Sequence, residues 1–172
     1  MESEQTFSIC QIVGYKNTGK TTLMEKIINY FTAQNHKIGT LKHHGHGGEP
    51  KHVHGTDSFK HLQAGSSISA VQGEKQLQLS IADVSAYPLE KLISLYTFMP
   101  IDILLLEGFK QADYPKIIII RNKEDKALLE LSNIIAVVSW DKDIPLPADK
   151  KTFLMEKVDE KLPEIASLIA GD

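Results

Sequence analysis

Phe7-Ser8-Ile9-Cys10-Gln11-Ile12-Val13-Gly14-Tyr15-Lys16-Asn17-Thr18-Gly19-Lys20-Thr21-Thr22 is the stretch on which the fold turns. Residues 7–13 are apolar and β-rich, as a buried strand requires. Beyond Thr22, the residues Leu23, Met24, Ile27, Ile28 and Phe31 recur on one face of a helix. Between strand and helix, Gly14 to Thr21 meets the pattern G-x-x-x-x-G-K-[ST] in full, in the context its mechanism needs. Glycines at Gly14 and Gly19 let successive backbone N–H groups turn inward around phosphate oxygens, and the positive end of the following helix adds to the attraction. This is a P-loop. Lys20 is placed to reach the β- and γ-phosphates and the Thr21 hydroxyl to bind magnesium, with Asn17, Thr18 and Thr22 completing the phosphate-binding segment.

Such a loop needs a carboxylate at the end of a neighbouring strand to hold the metal or its waters. Ile103-Leu104-Leu105-Leu106-Glu107-Gly108 puts Glu107 at the carboxyl edge of a sheet, where open α/β sheets bind ligands; a strand that merely ends in a solvated acid is the plainer alternative. Asp57 is a second candidate for the metal's outer shell, or else the N-cap of a short helix. For the base, Asn122-Lys123-Glu124-Asp125 matches the N-K-x-D guanine pattern, with Asp125 as acceptor. Ser139-Trp140-Asp141 competes with it, Trp140 stacking on a purine and Asp141 reading it, or Trp140 simply packing.

The rest of the chain supports an α/β fold, a three-layer P-loop NTPase architecture with a mostly parallel sheet and an inserted β-hairpin. Residues 37–41 read as a second strand. Residues 68–72 and 76–81 flank Gly73-Glu74-Lys75 as a hairpin, after a short helix at 57–62. Residues 88–98 read as helical. The apolar runs 101–106, 117–120 and 134–138 suit strands covered on both faces. Residues 141–151 read as a loop, and Leu162, Ile165, Leu168 and Ile169 as a closing helix with Pro163 in its first turn. With 172 residues and no composition break, the chain 1–172 is expected to be one nucleotide-binding domain, burying roughly 70% of the surface its unfolded form exposes.

A formal net charge of -3 gives no footprint for a nucleic acid polymer. The lone Cys10 suits a reducing compartment, hence the cytoplasm. The polar, acidic start and the lack of any apolar run near roughly 20 residues speak against secretion and membrane insertion. All seven histidines fall between His36 and His61. Residues 43–56 hold four glycines and a proline without apolar periodicity, a long functional loop. His43, His44, His46, His52, His54 and His61 are candidate ligands for zinc, nickel or copper, or contacts for anions or a partner, with Lys42-His43-His44 where a switch segment near the γ-phosphate belongs.

These residues together resemble the molybdopterin-guanine dinucleotide biosynthesis protein B (MobB) family. The resemblance rests on residues 14–22, Lys42-His43-His44, Gly55-Thr56-Asp57-Ser58 with Ala64-Gly65, Leu106-Glu107-Gly108-Phe109-Lys110, and Ile135-Ala136-Val137-Val138-Ser139. It implies a homodimeric GTP-binding protein with weak GTPase activity, an adapter to the molybdenum cofactor guanylyltransferase that attaches GMP to molybdopterin. It carries over Gly19, Lys20 and Thr21 as nucleotide-binding and Glu107 and Asp57 around magnesium. A metallochaperone-type GTPase working through the histidine loop is the competing reading, and stoichiometric metal binding separates the two. A small-molecule kinase is disfavoured because Arg121 is the only arginine in the chain. For the same reason hydrolysis is expected to be slow, with Lys16, inside the loop, as a candidate catalytic substitute acting across a dimer interface.

Overall fold

β1 (Ser8–Val13) is the strand around which the rest assembles, because it accepts a parallel partner on each side. The computed structural model of the chain describes residues 7–43, 55–85 and 87–171. Among these, β1 is joined in one parallel sheet by β2 (Ile38–Lys42), β5 (Ile103–Glu107), β6 (Lys116–Ile120), β7 (Ile134–Ser139) and β8 (Lys151–Leu154). The six strands lie in the order β2-β5-β1-β6-β7-β8. The continuous apolar runs follow from burial on both faces: every residue of β5 and β6 is buried.

On one face, Cys10, Ile12, Ile103, Leu105, Ile117, Ile119, Ala136 and Val138 meet two helices, α1 (Lys20–Ala33) and α4 (Val158–Ala170). Helix α1 contributes Leu23, Met24, Ile27 and Phe31, the stripe its periodicity predicts. On the other face, Ile118, Ile120 and Val137 are covered by Leu128, in a 3-10 helix at Lys123–Glu130, and by Ile144. Each of these aliphatic side chains contributes about 1.5–3 kcal/mol by leaving water. Burial pushes the Cys10 thiol up to about 12, so Cys10 behaves as a small apolar packing group rather than a nucleophile.

Two compact units are present: residues 46–93 form one, and the rest of the chain the other, which holds the sheet. In the smaller unit, β3 (Ile68–Gln72) and β4 (Leu77–Ile81) pair antiparallel as the expected hairpin. The helix α2 (Asp57–Gln63) lies against it, Phe59 and Leu62 meeting Val71, Gln78 and Ser80 around a shared cavity. The helical stretch at 88–98 starts as α3 (Leu89–Ser94) and tightens to a 3-10 turn at Leu95–Phe98.

Residues 141–150 form the expected loop, and its last expected residue, Lys151, opens β8, a short edge strand that the sequence reading did not include, pairing Val137 with Thr152 and Val138 with Phe153. One expectation changes. Pro163 lies in the interior of α4 rather than its first turn, because the helix begins at Val158. An interior proline costs about 3 kcal/mol, which the burial of Val158, Ile165, Ala166 and Ile169 offsets.

The amino edge of β6 carries a lysine that no apolar pattern anticipates. Lys116 is fully buried, and its ammonium donates to the Ser132 carbonyl at 2.6 Å. Burial holds its pKa below the ordinary 10.5, against the opposing attraction of Asp113. The unfolded chain therefore keeps this proton to higher pH than the native protein, so the contribution of Lys116 to stability rises with pH between the depressed native value and 10.5. Lys116→Met should remove that rise: in urea titrations across the alkaline range, the difference in stability between variant and wild type should shift in favour of the wild type as pH increases.

Candidate functional site

The end of β1 delivers the chain to Gly14 at the carboxyl edge of the sheet, between the ends of β5 and β6. A Cβ on Gly14 would meet Thr18 Oγ1 at 2.5 Å, so no side chain fits there while the loop keeps its form. Gly19 closes the loop as the residue before α1, with φ at 94°, and Asn17 also adopts a left-handed conformation at 61°. Thr18 is buried, its hydroxyl donating to the Tyr15 carbonyl at 2.9 Å. Lys20 Nζ donates to that same carbonyl at 2.6 Å. Thr21 and Thr22 are exposed in the first turn of α1, and Lys16 is exposed at the tip of the loop.

Glu107 closes β5 next to this loop. It is buried, and Gly108 N–H donates to the Ile12 carbonyl at 3.0 Å, tying the exit of β5 to β1. The fully buried Gln11 secures the same turn: its amide donates to the Gly108 and Phe109 carbonyls at 3.2 and 2.8 Å and accepts from Tyr114 N–H at 3.2 Å. Lys42, the register partner of Glu107 across β2 and β5, forms an ion pair with it at 3.0 Å. His43 comes next, its ring 5.0 Å from that of Phe109 and its N–H donating to the Glu107 carbonyl. Lys110 lies over the Tyr15 ring at 3.9 Å. Burial lowers the pKa of Lys20, the nearby Glu107 raises it, and Lys110 and Lys42 lower it further. The edge is thus a cationic rim around one enclosed carboxylate. A buried carboxylate at the end of β5 and a hydroxyl in the first turn of α1 are both oxygen donors of the kind magnesium takes, so the chemistry of Glu107 and Thr21 suits that ion, and Glu107 is paired here with Lys42.

Two contacts to the loop escaped sequence reasoning. Arg121, after β6, donates from Nη1 to the Asn17 carbonyl at 3.0 Å. Trp140, after β7, donates from its indole N–H to the Thr18 carbonyl at 2.8 Å. Neighbouring parallel strands end at the same edge, which was the available signal; the direction of either side chain was not.

The other predicted positions separate. Asp125 is buried and accepts from the Arg121 N–H at 2.7 Å, closing the turn after β6. Asp141 follows Trp140, accepts from the Asp143 N–H at 2.9 Å and is exposed. Asp57 belongs to the smaller unit, where it opens α2 and pairs with Lys60 at 2.9 Å. His61 lies in α2, while His44, His46, His52 and His54 fall outside the described residues. Among the described residues no three histidine, cysteine or acidic side chains gather as a metal site.

The engagement of Asp125 with its own turn makes a definite expectation. Asp125→Ala should lower stability by about 1.5–3 kcal/mol, the value of a hydrogen bond to a charged acceptor, whereas Asp141→Ala, at an exposed position, should change it by less than about 0.5 kcal/mol; urea denaturation of the two variants compares them directly.

Known proteins share this architecture. The chain is 44% identical over 138 residues to a probable molybdopterin-guanine dinucleotide biosynthesis adapter protein of Bacillus subtilis, covering 80% of this chain and 79% of that one. It is 29% identical over 158 residues to the adapter protein of Haemophilus influenzae, covering 92% and 85%. The crystal structure of Bacillus subtilis MobB superposes with a TM-score of 0.83 at 38% identity, covering 96% of this chain and all of that one. A MobB homologue from Bacillus stearothermophilus does so at 0.76 and 32%, covering 95% and 99%. The family model for molybdopterin guanine dinucleotide synthesis protein B matches residues 9–140, across the P-loop, Glu107 and Trp140, and the chain belongs to that family.

Proposed function

We propose that this protein is an adapter in molybdopterin-guanine dinucleotide biosynthesis that binds GTP with magnesium and, in that state, engages the molybdenum cofactor guanylyltransferase. The observation that carries the nucleotide part is the loop itself: a full P-loop between the central strand and α1, with an enclosed carboxylate at the end of the adjacent strand. Gly14, Asn17, Thr18, Gly19, Lys20, Thr21 and Thr22 hold the phosphates, and Thr21 and Glu107 hold magnesium, displacing Lys42 from Glu107. The lone cysteine, Cys10, suits the cytoplasm as its compartment.

We place the base beside Asp141 rather than Asp125, whose carboxylate already closes a turn. Hydrolysis is slow, because Arg121 is spent on the Asn17 carbonyl, and Lys16 acts from a second copy. The histidine-rich loop offers its switch surface to the partner enzyme. A metallochaperone role remains the competing reading, and it requires tight, stoichiometric metal binding that the adapter does not.

Calorimetric titration with GTP, ATP and GDP, with and without magnesium, tests the reading. The wild type should bind GTP in a magnesium-dependent way and prefer it to ATP. Lys20→Ala should abolish triphosphate binding with the fold intact by circular dichroism; unchanged GTP affinity in that variant would remove the phosphate-site assignment.

The homodimer has its own support. In the hairpin, the pairs Ile68 with Ile81, Ala70 with Leu79 and Gln72 with Leu77 line up on one face, where Ile68, Leu77 and Leu79 are all more than half exposed. Apolar groups concentrated on one side of a two-stranded hairpin suit a self-complementary interface. Leu77→Lys combined with Leu79→Lys should convert a dimer to a monomer in light scattering; a wild type that is itself monomeric at micromolar concentration speaks against the dimer.

A further inference from the structure

We infer that Trp140 and Arg121 are positioning residues that set the phosphate loop in its binding form, by holding two of its carbonyls outward. The inference rests on the nucleotide reading above and adds to it the residues that shape the site from outside.

Three observations converge on adjacent residues of one loop. Arg121 Nη1 grips the Asn17 carbonyl at 3.0 Å, and the Trp140 indole N–H grips the Thr18 carbonyl at 2.8 Å. The Trp140 ring also lies against Gly19, where a Cβ would meet its Cζ2 at 3.2 Å. The peptide groups here are trans, and in a trans peptide the C=O of one residue and the N–H of the next point in opposite directions. Drawing the Asn17 carbonyl toward Arg121 therefore turns the Thr18 N–H the other way. Drawing the Thr18 carbonyl toward Trp140 does the same for the Gly19 N–H. Two successive N–H groups facing one way make an anion-binding concavity. Asn17 and Gly19 are left-handed, a conformation that glycine and asparagine tolerate but do not by themselves select, so the clamps choose it among the forms the loop can take.

The two donors come from the ends of different strands, β6 and β7, and take consecutive carbonyls of the same loop. The clamp also explains why the glycine before α1 must lack a side chain on two counts, its positive φ and the indole packed on it.

Trp140→Phe keeps a ring near Gly19 and removes only the N–H donor, with no change of charge. Arg121→Met keeps the stem and removes the guanidinium. Calorimetry with two ligands, GTP and inorganic tripolyphosphate, each with magnesium, separates the possible roles. Each variant should lose affinity by about tenfold, the effect of one lost hydrogen bond, and by the same factor for both ligands, while its unfolding midpoint falls by no more than about 5 °C. A loss confined to GTP would mean that the side chains touch the nucleoside, and would overturn the clamp. Unchanged affinity for both ligands would overturn it as well. If Trp140→Phe fails to fold, Arg121→Met at its exposed position decides the matter alone. A wild type that binds neither ligand would instead overturn the nucleotide reading itself.

Discussion

The site depends on the pairing of β1 between β5 and β6. Because both partners run parallel to β1, all three strands end at one edge, and their last residues and exits are delivered there together: the loop from Gly14 after β1, Glu107 at the end of β5, Arg121 after β6. The pairing is specified by apolar side chains alternating to two covered faces, so a slip of β1 by one residue would turn Cys10 and Ile12 away from α1, and a slip of β5 would reverse the direction of Glu107. The core and the site are thus set by the same register.

Electrostatics at that edge follow from enclosure. Glu107 is largely shielded from water, and an isolated carboxylate there would be costly. Lys42 answers it directly, and Lys20 is close enough to feel it. The lysines at 20, 42 and 110 oppose one another, and burial adds to the strain on Lys20. An anion entering the loop would relieve that repulsion, and a divalent cation on Glu107 would release Lys42. A triphosphate with its metal supplies both charges together, which makes the two parts of such a ligand mutually supporting.

Two buried polar side chains lie side by side in the sheet. Gln11 and Lys116 are register partners in β1 and β6 and are both fully buried. Gln11 uses both ends of its amide to hold the turn after Glu107, whereas Lys116 reaches the Ser132 carbonyl. Each finds a hydrogen-bond partner among backbone groups outside the strand ladder, the condition under which a polar group in the core is tolerated.

The sequence by itself determined the parallel sheet, the strand–loop–helix unit, the hairpin and the residues of the phosphate loop. These are local signals: apolar runs, helical periodicity and a pattern whose spacing is its mechanism. Glu107 was legible for the same reason, since a strand that ends in an acid and a glycine declares its own edge. Pro163 was misplaced because burial of α4 outweighs the local preference of proline, and β8 went unread because its four residues are a strand only through pairing along β7. Only the tertiary structure decided what Arg121, Trp140, Asp125 and Lys42 do. Their side chains act on residues between four and more than a hundred positions away, and the direction of a side chain at a strand end is set by packing in three dimensions, which neither composition nor spacing encodes.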